Sequence, residues 1–539
     1  MERRTLVAIV LMVFILGIYQ YYMGRNRPPA PAPEPKQQES PIPDSPDKEA
    51  PPELTPEALS RLALSTSSAQ KEDIVVETSL LRVVLSTRGG RVKSWQLKKY
   101  LEPDGRPVEM AGRLGPAGDS LDLCTWSRNR ETSLPIYRAN ARELLLSELQ
   151  PQGTLTLVCL TPSGLELTKS FTFFENDYKV DLEMKARNVG RQAQSLTFDL
   201  LWGPGIRSHE GKEEKTLKPA TSLVNGQVVQ DKWEKLDKAV EHRGDVSWTA
   251  IQDNYFCAAL IPLGKGSWAK IEKTKDGGPL VGLVLPAKRL LPGNGAGESF
   301  SLYVGPKEID RLTKLGFGLR EIIDLGWFGV LARPALYFLK YINGYVKNYG
   351  LAIIILTFLV RIVLFPLTHK SLKSMQEMQR LQPKINMLRE RFKDDSKRMN
   401  QELMELYRKH KINPMGGCLP MVVQIPIFIA LYNALINSVE LWRAPLMLWI
   451  KDLSAKDPYY ALPILMGISW IVQQWMTPTT GDPRQAKMML LMPVIFTFMF
   501  LNFPSGLVLY FLVSNLLGIA QQYFLNQYMK VPSKAGGSE

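Results

Sequence analysis

The spacing of apolar residues changes twice along the chain. In the first half, apolar and polar residues alternate through segments that are separated by Gly, Asn and Asp, a pattern typical of strands. These segments are DIVVETSLLRVVLST (73–87), RVKSWQLKKY (91–100), GTLTLVCL (153–160), LTKSFTFFENDYKVDLEMKARNVG (167–190), SWTAIQDNYFCAALIPL (247–263) and SFSLYVG (299–305). No strand–helix–strand rhythm interrupts them. The pattern therefore predicts a large antiparallel β-sandwich over roughly 70–306, in a domain covering 70–320.

Long apolar runs lie before and after this region. The run Thr5–Tyr22 is flanked by arginines and has the length of a membrane span. A cleaved signal peptide is the alternative, but its bulky Tyr19–Tyr22 end does not suit a peptidase, so we expect a signal anchor in 1–25. Residues 26–69 are rich in Pro, Glu and Ser, which predicts a disordered or extended linker.

The second half is predominantly helical by pattern. Residues 321–346 mix apolar, basic and aromatic side chains, which favours a helix lying along the membrane interface. Five apolar segments follow in the region 347–539, at about 348–368, 418–438, 459–476, 488–503 and 505–526. The sequence therefore predicts an α-helical polytopic membrane protein with six spans, the last five forming a core bundle, plus a large extracytoplasmic antiparallel β domain.

Charge predicts the orientation. The chain has 66 Lys+Arg and 52 Asp+Glu, a net charge of +14, and the excess is concentrated between Thr368 and Pro414, where twelve basic residues face six acidic ones. A short basic loop stays in the cytoplasm. Counting spans from that loop places both termini in the cytoplasm and the β domain on the far side. The basic excess thus does not require a sequence-specific nucleic-acid partner.

The basic loop, 369–414, has the pattern of a helical hairpin. Two stripes of apolar residues recur at three- or four-residue spacing, and Asp394-Asp395-Ser396 between them is a turn and cap signal. Pro383 is expected to kink the first arm. A solvated hairpin with a small core is one interpretation, and a docking surface for a polyanion or an apolar peptide is the other.

Arg361 stands within the apolar stretch IIILTFLVRIVLFPLT (353–368). A guanidinium costs ~2.5–3.5 kcal/mol at a bilayer centre, and Asp and Glu are absent from the five downstream spans. Snorkelling to the headgroups is the simplest explanation. The alternative is a hydrated recess open to the cytoplasm, lined by polar residues of neighbouring spans. Gln424 and Asn433 are half a turn out of phase, so their span does not present one polar face.

Covalent and metal chemistry have few candidates. The four cysteines (Cys124, Cys159, Cys257 and Cys418) show no metal-ligand spacing, and no histidine lies near a plausible nucleophile. We therefore expect no catalytic residue, no cofactor and no metal site.

Longer motifs then point to a known family. LTFLVRIVLFPLT (356–368), LQPKINMLRERFKDD (381–395), NPMGGCLPMVVQIPIFIALY (413–432), DPYYALPILMG (457–467), TPTTGDP (477–483) and FPSGLVLYFLVSN (503–515) resemble the YidC/Oxa family of membrane protein insertases, in its Gram-negative form. STRGGRV (86–92), SFTFFENDY (170–178) and YVGPKEID (303–310) are similar to the extracytoplasmic β-supersandwich of that family.

The resemblance implies a membrane protein insertase and chaperone in the bacterial inner membrane, working alone or with the Sec translocon through a hydrophilic groove. It implies nascent membrane protein segments as clients, the lipid bilayer as environment, and the ribosome and a targeting receptor as partners. The implied groove residues are Arg361, Thr357, Gln424, Phe428, Met466, Tyr510 and Phe511. The polar pattern of the last span adds Ser514, one turn after Tyr510, and the charge of the hairpin makes Lys397, Arg398, Arg408 and Lys409 the candidate docking residues.

Two other functions stay open at this stage. A solute channel or transporter would explain the spans, although the missing intramembrane acids and repeat halves weigh against it. A sugar-acting β domain would fit the mutarotase-like fold that the resemblance implies, but His209 and His242 have no evident carboxylate partner at motif spacing.

Overall fold

The computed structural model describes residues 72–102, 104–114, 119–120, 135–206, 217–274, 278–392, 395–410, 419–476 and 483–528. The predicted signal anchor (1–25) and linker (26–69) lie outside the described residues, so the first of the six predicted spans does too.

The region 73–306 is built of strands. In chain order they are β1 (Asp73–Glu77), β2 (Leu81–Ser86), β3 (Arg91–Leu101), β4 (Pro107–Glu109), β5 (Arg113–Leu114), β6 (Asp119–Ser120), β7 (Arg138–Ala139), β8 (Glu143–Leu145), β9 (Gln152–Leu160), β10 (Leu165–Phe174), β11 (Lys179–Asn188), β12 (Gln194–Leu196), β13 (Asp199–Trp202), β14 (Ala220–Val224), β15 (Gln227–Asp231), β16 (Val240–His242), β17 (Val246–Gln252), β18 (Phe256–Pro262), β19 (Trp268–Lys273), β20 (Pro279–Val284), β21 (Lys288–Leu290) and β22 (Gly295–Pro306).

These strands form layered sheets. The largest has the order β15-β14-β17-β18-β22-β11-β10-β9-β7, and sheets of order β4-β3-β2-β1-β8 and β13-β20-β19-β16 pack with it. Trp95 shows how the layers meet, because its ring lies 6.4 Å from that of Phe173 in the largest sheet and 5.7 Å from that of Trp202 in the third. Among the described strands the pairing is antiparallel except for β1 with β8. The predicted β-sandwich is confirmed.

Side chains rather than glycines make two of the turns. The predicted segment 73–87 is broken after Glu77, where the Thr78 hydroxyl accepts hydrogen bonds from the amides of Leu80 and Leu81. The segment 247–263 is broken at Asp253, whose carboxylate accepts from the amides of Tyr255 and Phe256. Such local bonds offer the backbone an alternative to the sheet ladder.

One lysine occupies a core position of β10. Alternation gives Leu167, Lys169 and Phe171 the same buried face, and the Lys169 side chain is fully buried. Its Nζ donates to the carbonyl of Gly89 at 2.7 Å. Gly90 has a φ of +60°, and a Cβ there would lie 3.3 Å from the Lys169 side chain. The two glycines of the STRGGRV motif thus form the turn that satisfies a buried ammonium group.

Helices follow the β domain. They are α1 (Ile309–Leu315), α2 (Gly329–Val346), α3 (Tyr349–Arg380), α4 (Gln382–Arg391), α5 (Ser396–Lys409), α6 (Leu419–Ile436), α7 (Ala461–Met476), α8 (Pro483–Phe500) and α9 (Ser505–Tyr528). In the described residues, Tyr349–Met378 and Ser505–Leu525 are long and apolar enough to cross a membrane, and Val422–Ile436, Ala461–Met476 and Leu491–Phe500 are shorter apolar helices. Each of the five downstream apolar segments is therefore helical.

The helix α2 lies within the predicted interfacial segment and has two unlike faces. Ala332, Leu336, Leu339 and Ile342 are buried at helical spacing. The opposite face exposes large apolar and aromatic side chains, namely Val330, Leu331, Tyr337, Phe338, Tyr341 and Tyr345.

The basic loop is a hairpin of α4 and α5 with a small core. Met378, Leu381 and Ile385 are buried, and Leu403 packs against them. Asp395 caps α5 by accepting from the amides of Lys397 and Arg398, as the sequence predicts. The first arm is interrupted next to Pro383, as the sequence predicts: the chain breaks at Leu381, and Pro383 stands in the first turn of a new helix, where its missing amide hydrogen costs nothing.

The β domain and the helices share one hydrophobic core. Ala430, Ala434 and Val439, in α6 and just after it, belong to the same buried cluster as the sheets. The ring of Trp442 lies 4.9 Å from that of Tyr255 and 5.5 Å from that of Phe256.

A buried lysine follows the last strand. Lys307 is 1% exposed and its Nζ donates to the carbonyl of Asp253 at 3.0 Å. Burial, with the nearby Lys218 ammonium, lowers the pKa of Lys307 to about 7, against the weaker opposing effects of Cys257, Asp253 and Asp324. Burial likewise raises the pKa of the Cys257 thiol to about 12.

This pKa predicts how stability depends on pH. Between about pH 7 and its ordinary pKa, Lys307 binds fewer protons when folded than when unfolded, so the free energy of unfolding should rise with pH. The rise is at most ~1.4 kcal/mol per pH unit, and pH 7–9 isolates it, because the Cys257 thiol opposes it at higher pH. Lys307→Met should lack this rise when unfolding of the full chain in detergent is followed by near-ultraviolet circular dichroism. Parallel curves for the two proteins would contradict the assignment.

Candidate functional site

Arg361 is held by one residue of a neighbouring helix. Its Nε donates to the Ser514 hydroxyl at 3.0 Å, and its Nη2 donates to the same hydroxyl at 2.8 Å and to the Ser514 carbonyl at 2.6 Å. Ser514, on α9, is 4% exposed, whereas Arg361, on α3, is half-buried. Among the described residues no carboxylate pairs with Arg361. The guanidinium therefore keeps its charge in an apolar helix through neutral oxygen acceptors.

Gly518 leaves space beside the guanidinium. It lies one turn after Ser514, and a Cβ at this position would be 3.4 Å from Arg361 Nη2 and 2.7 Å from Gln473 Nε2. The glycine thus allows α3 and α7 to bring two polar side chains against α9. The sequence pattern did not single out Gln473 or Gly518. The spacing of Tyr510, Ser514 and Gly518 at four-residue steps is the signal that could have found the glycine.

The second polar contact joins α6 to α9. Gln424 Nε2 donates to the Tyr510 hydroxyl at 2.9 Å. Tyr510 is 2% exposed and precedes Ser514 by one turn. One face of α9 therefore carries Tyr510, Ser514 and Gly518 in succession, and it receives Gln424 and Arg361 from two other helices.

An aromatic group lies next to these polar contacts. The Phe428 ring is 5.1 Å from Phe511, and Phe511 is 5.3 Å from Tyr510 and 4.8 Å from Phe500. Phe428 and Phe511 remain half-buried. Surface on these two rings is thus available for apolar contact beside a polar centre.

Two of the implied groove residues have no exposed surface. Thr357 is fully buried, and its hydroxyl donates to the Ile353 carbonyl at 2.6 Å within α3. Met466 on α7 is also fully buried. Three pairs of the predicted groove residues are therefore in contact: Arg361 with Ser514, Gln424 with Tyr510, and Phe428 with Phe511. Thr357 and Met466 lie instead in the buried core of the helices.

The candidate docking residues form two exposed pairs on α5. Lys397 and Arg398 lie in its first turn, and Arg408 and Lys409 lie in its last turn. Corresponding members of the two pairs are eleven positions apart, or roughly 16 Å along the helix. The Arg398 guanidinium also stacks over Phe392, 5.4 Å from the ring centre.

Other polar residues of the helices bond either to a neighbouring helix or to the segment before α2. Asn515 on α9 donates to the Ser469 hydroxyl on α7 at 3.3 Å, a hydrogen bond between two helices. Asn433 and Asn437 instead donate to the carbonyls of Leu325 and Asp324, just before α2.

Sites for other chemistry are scarce in the described ranges. Those residues hold no group of three or more His, Cys, Asp and Glu side chains that could bind a metal. His242 has a carboxylate neighbour in the fold, since its Nε2 lies 2.7 Å from Asp231 Oδ2 on β15. The pairing crosses between two strands, which spacing along the chain does not reveal. His209 lies outside the described residues.

The fold and site together define a polytopic helical membrane protein with a large β domain before its core bundle. Two family models match the chain, "60Kd inner membrane protein" over residues 341–534 and "YidC periplasmic domain" over residues 73–338. The chain belongs to the YidC family of membrane protein insertases.

Individual relatives cover nearly all of the chain. It is 44% identical to the membrane protein insertase YidC of Geobacter sp. (strain M21), over 85% of this chain and 86% of that protein. It is 38% identical to the membrane protein insertase YidC of Geotalea daltonii, over 98% of this chain and 99% of that protein. It is also 39% identical to that of Syntrophus aciditrophicus, over 98% and 100%.

Solved structures also match. An active YidC insertase crystal structure aligns with a TM-score of 0.37 and 18% identity, covering 87% of this chain and 98% of that one. A galactose mutarotase-like protein from Lactobacillus casei aligns with a TM-score of 0.30 and 12% identity, covering 43% of this chain and 99% of that one.

Proposed function

We propose that this chain inserts and folds transmembrane segments of newly made proteins through a hydrophilic groove open to cytoplasm and lipid, alone or beside the Sec translocon. The observation that carries the proposal is the environment of Arg361. Its guanidinium is bonded to Ser514 in an apolar bundle, and among the described residues it has no carboxylate partner. Its positive charge is therefore not neutralised and can attract an acidic flank of a client.

The groove would lower the barrier for a polar flank. Such a flank must cross an apolar layer of ~30 Å, and a hydrated recess that reaches Arg361 shortens that path. Nucleotide is not required in this scheme, because transfer of a ~20-residue apolar helix into lipid is itself favourable. Arg361, Ser514, Gln424 and Tyr510 form the polar side of the recess.

The apolar part of the client would leave past the aromatic rings. Phe428 and Phe511 are half-buried neighbours, so they offer apolar surface directly next to the polar side of the recess. Thr357 and Met466 are fully buried and support these helices from behind. We assign them an indirect role, through packing.

The proposed activity involves no covalent chemistry, and the protein is not an enzyme in this scheme. A solute transporter is the alternative for a multi-span chain. Pumps and coupled transporters use intramembrane acids as relays, and the apolar segments of α3 and α6–α9 contain no Asp or Glu. Solute flux through reconstituted vesicles without insertion would favour the transporter.

The proposed setting is the bacterial inner membrane with several partners. The β domain lies in the periplasm, and both termini and the basic hairpin lie in the cytoplasm. The name of the matching family model supports the inner membrane, and the basic hairpin supports the orientation. The hairpin would meet the ribosome and a targeting receptor, and the bundle would meet nascent segments, lipid and the Sec translocon.

This topology predicts which sites react with an impermeant thiol reagent. Ser438–Leu441 is largely buried, so exposed Leu448, in the loop after α6, is the better periplasmic probe. In a background without the natural cysteines, Leu448→Cys should react in intact spheroplasts, whereas Glu405→Cys on α5 should react only after lysis. Labelling of Glu405→Cys from outside would refute the orientation.

The hairpin charges should matter in a salt-dependent way. Replacing Lys397, Arg398, Arg408 and Lys409 with Glu should weaken sedimentation of the protein with ribosomes, since exposed charges attract a polyanion. The difference from wild type should shrink between 50 and 500 mM salt, because the screening length falls below ~8–10 Å. The matched control reverses four exposed basic residues of the β domain, Lys99, Lys232, Lys238 and Arg289. Equal sedimentation of both variants at low salt would show that the hairpin charges are only hydrated and do not bind the ribosome.

The groove itself is tested by client capture and charge reversal. Photo-crosslinkers at Phe428 or Phe511 should capture a stalled single-span client at least fivefold more than one at Ile355, which lies 38% exposed on α3. Arg361→Lys should keep much of the insertion yield in proteoliposomes. Arg361→Glu should lose most of it for clients with an acidic translocated flank, because like charges repel. Equal capture at all three positions, with wild-type insertion by Arg361→Glu, would rule out the groove.

A further inference from the structure

Two asparagines, Asn433 in α6 and Asn437 directly after it, bind the segment that follows the β domain. Asn433 and Asn437 are one helical turn apart, and their Nδ2 atoms donate to the successive carbonyls of Leu325 and Asp324 at 3.1 Å and 3.0 Å. These carbonyls belong to residues 316–328 between α1 and α2, which we call the connector. The two acceptors are consecutive residues of the connector, and the two donors are one helical turn apart. Two bonds at different points fix the rotation of α6 relative to the connector as well as the distance between them.

The connector is shaped to present these carbonyls. The Gly326 amide donates to Asp324 Oδ1 at 2.8 Å, and Gly326 has a φ of +65°. A Cβ at this position would lie 2.7 Å from Asn433 Nδ2. Only glycine therefore combines this turn with such close approach of α6.

Asn437 also contacts the β domain itself. Lys218 Nζ donates to Asn437 Oδ1 at 2.5 Å, so the Asn437 side-chain amide accepts through its oxygen and donates through its nitrogen. The Lys218 carbonyl is itself held by Trp233 Nε1 at 2.7 Å. Burial lowers the pKa of Lys218, while Asp324 and Asp253 oppose that shift. Small residues on α6, Ala430 and Ala434, complete the contact in the shared core.

The held face of α6 lies opposite the candidate site. At about 100° per residue, the nine positions from Phe428 to Asn437 correspond to a rotation of about 180°. Gln424 and Phe428 accordingly contact Tyr510 and Phe511 on α9, while Asn437 contacts the β domain. This arrangement also explains why the polar residues of α6 are out of phase along the sequence.

We propose that Asn433 and Asn437 are positioning residues, through which the β domain and its connector set the place of α6 against α9 and so the gap between Phe428 and Phe511. The proposal rests on the proposed function for its effect on clients. It assigns the β domain a mechanical part in insertion that is separate from any ligand it binds.

The test measures helix placement and client capture independently. Placement is measured as the rate of disulfide formation between Tyr432→Cys and Phe503→Cys, whose natural rings lie 5.9 Å apart, in a background lacking the natural cysteines. Asn433→Leu with Asn437→Leu should slow that rate at least threefold. The same pair of changes, with the natural Tyr432 and Phe503 retained, should reduce client capture by a photo-crosslinker at Phe428 by a similar factor.

Two further variants separate positioning from general damage. Gly326→Ala leaves both asparagines in place and should slow the disulfide by crowding Asn433. Asn437→Asp keeps an acceptor for Lys218 but loses the donor to Asp324, and should fall between wild type and the double variant. The control is Asn140→Ala, which removes an amide–carbonyl bond (3.3 Å to Thr154) inside the β domain and should leave the rate unchanged.

The outcomes distinguish the two proposals. A wild-type disulfide rate in the double variant would overturn the positioning role, whatever happens to clients. If the double variant does not fold, Gly326→Ala decides by the same rate. Absence of client capture at Phe428 in the otherwise wild-type protein would instead refute the groove, and the disulfide rate would still test the positioning role.

Discussion

A charged group within an apolar bundle must find oxygen acceptors, and the core of this protein is organised around one such group. Arg361 has three hydrogen bonds to Ser514, and Gly518 leaves the space that those bonds require. An unsatisfied guanidinium in such surroundings would cost several kcal/mol. The spacing of α3 and α9 therefore depends on this contact, and the polar face of α9 extends it to α6 through Tyr510.

The helix α6 connects this centre to the β domain. One of its faces contacts α9 through Gln424 and Phe428, and the other is hydrogen-bonded to the connector and to Lys218. A helix that is fixed on both sides transmits displacement as a rigid body. The β domain and the bundle are thus mechanically linked through a few polar bonds in a hydrophobic contact.

Much of the fold was predictable because it follows from short-range pattern. Alternation identified the strands, apolar length identified the five downstream helices, and Asp395 marked the cap of α5. The turn at Thr78 was missed because it depends on a local hydrogen bond that apolar spacing does not record.

The candidate site was predictable only in part. Arg361 stands out in the sequence because it is the charge in an apolar run. Its contact with Ser514 and the contact between Gln424 and Tyr510 join residues 153 and 86 positions apart. Polar spacing and family resemblance named these residues, but neither could pair them. The His242–Asp231 pair and the asparagine contacts to the connector depend on tertiary packing, which a single sequence does not specify.

The length of α3 has a consequence for approach from the cytoplasm. Its 32 residues extend to roughly 48 Å, well beyond a hydrocarbon layer of ~30 Å. The same rod that holds Arg361 therefore carries exposed Lys370, Lys373 and Arg380 outside the layer. These cations and Arg361 lie along one helix, so their summed positive potential attracts an acidic segment toward the C-terminal half of α3.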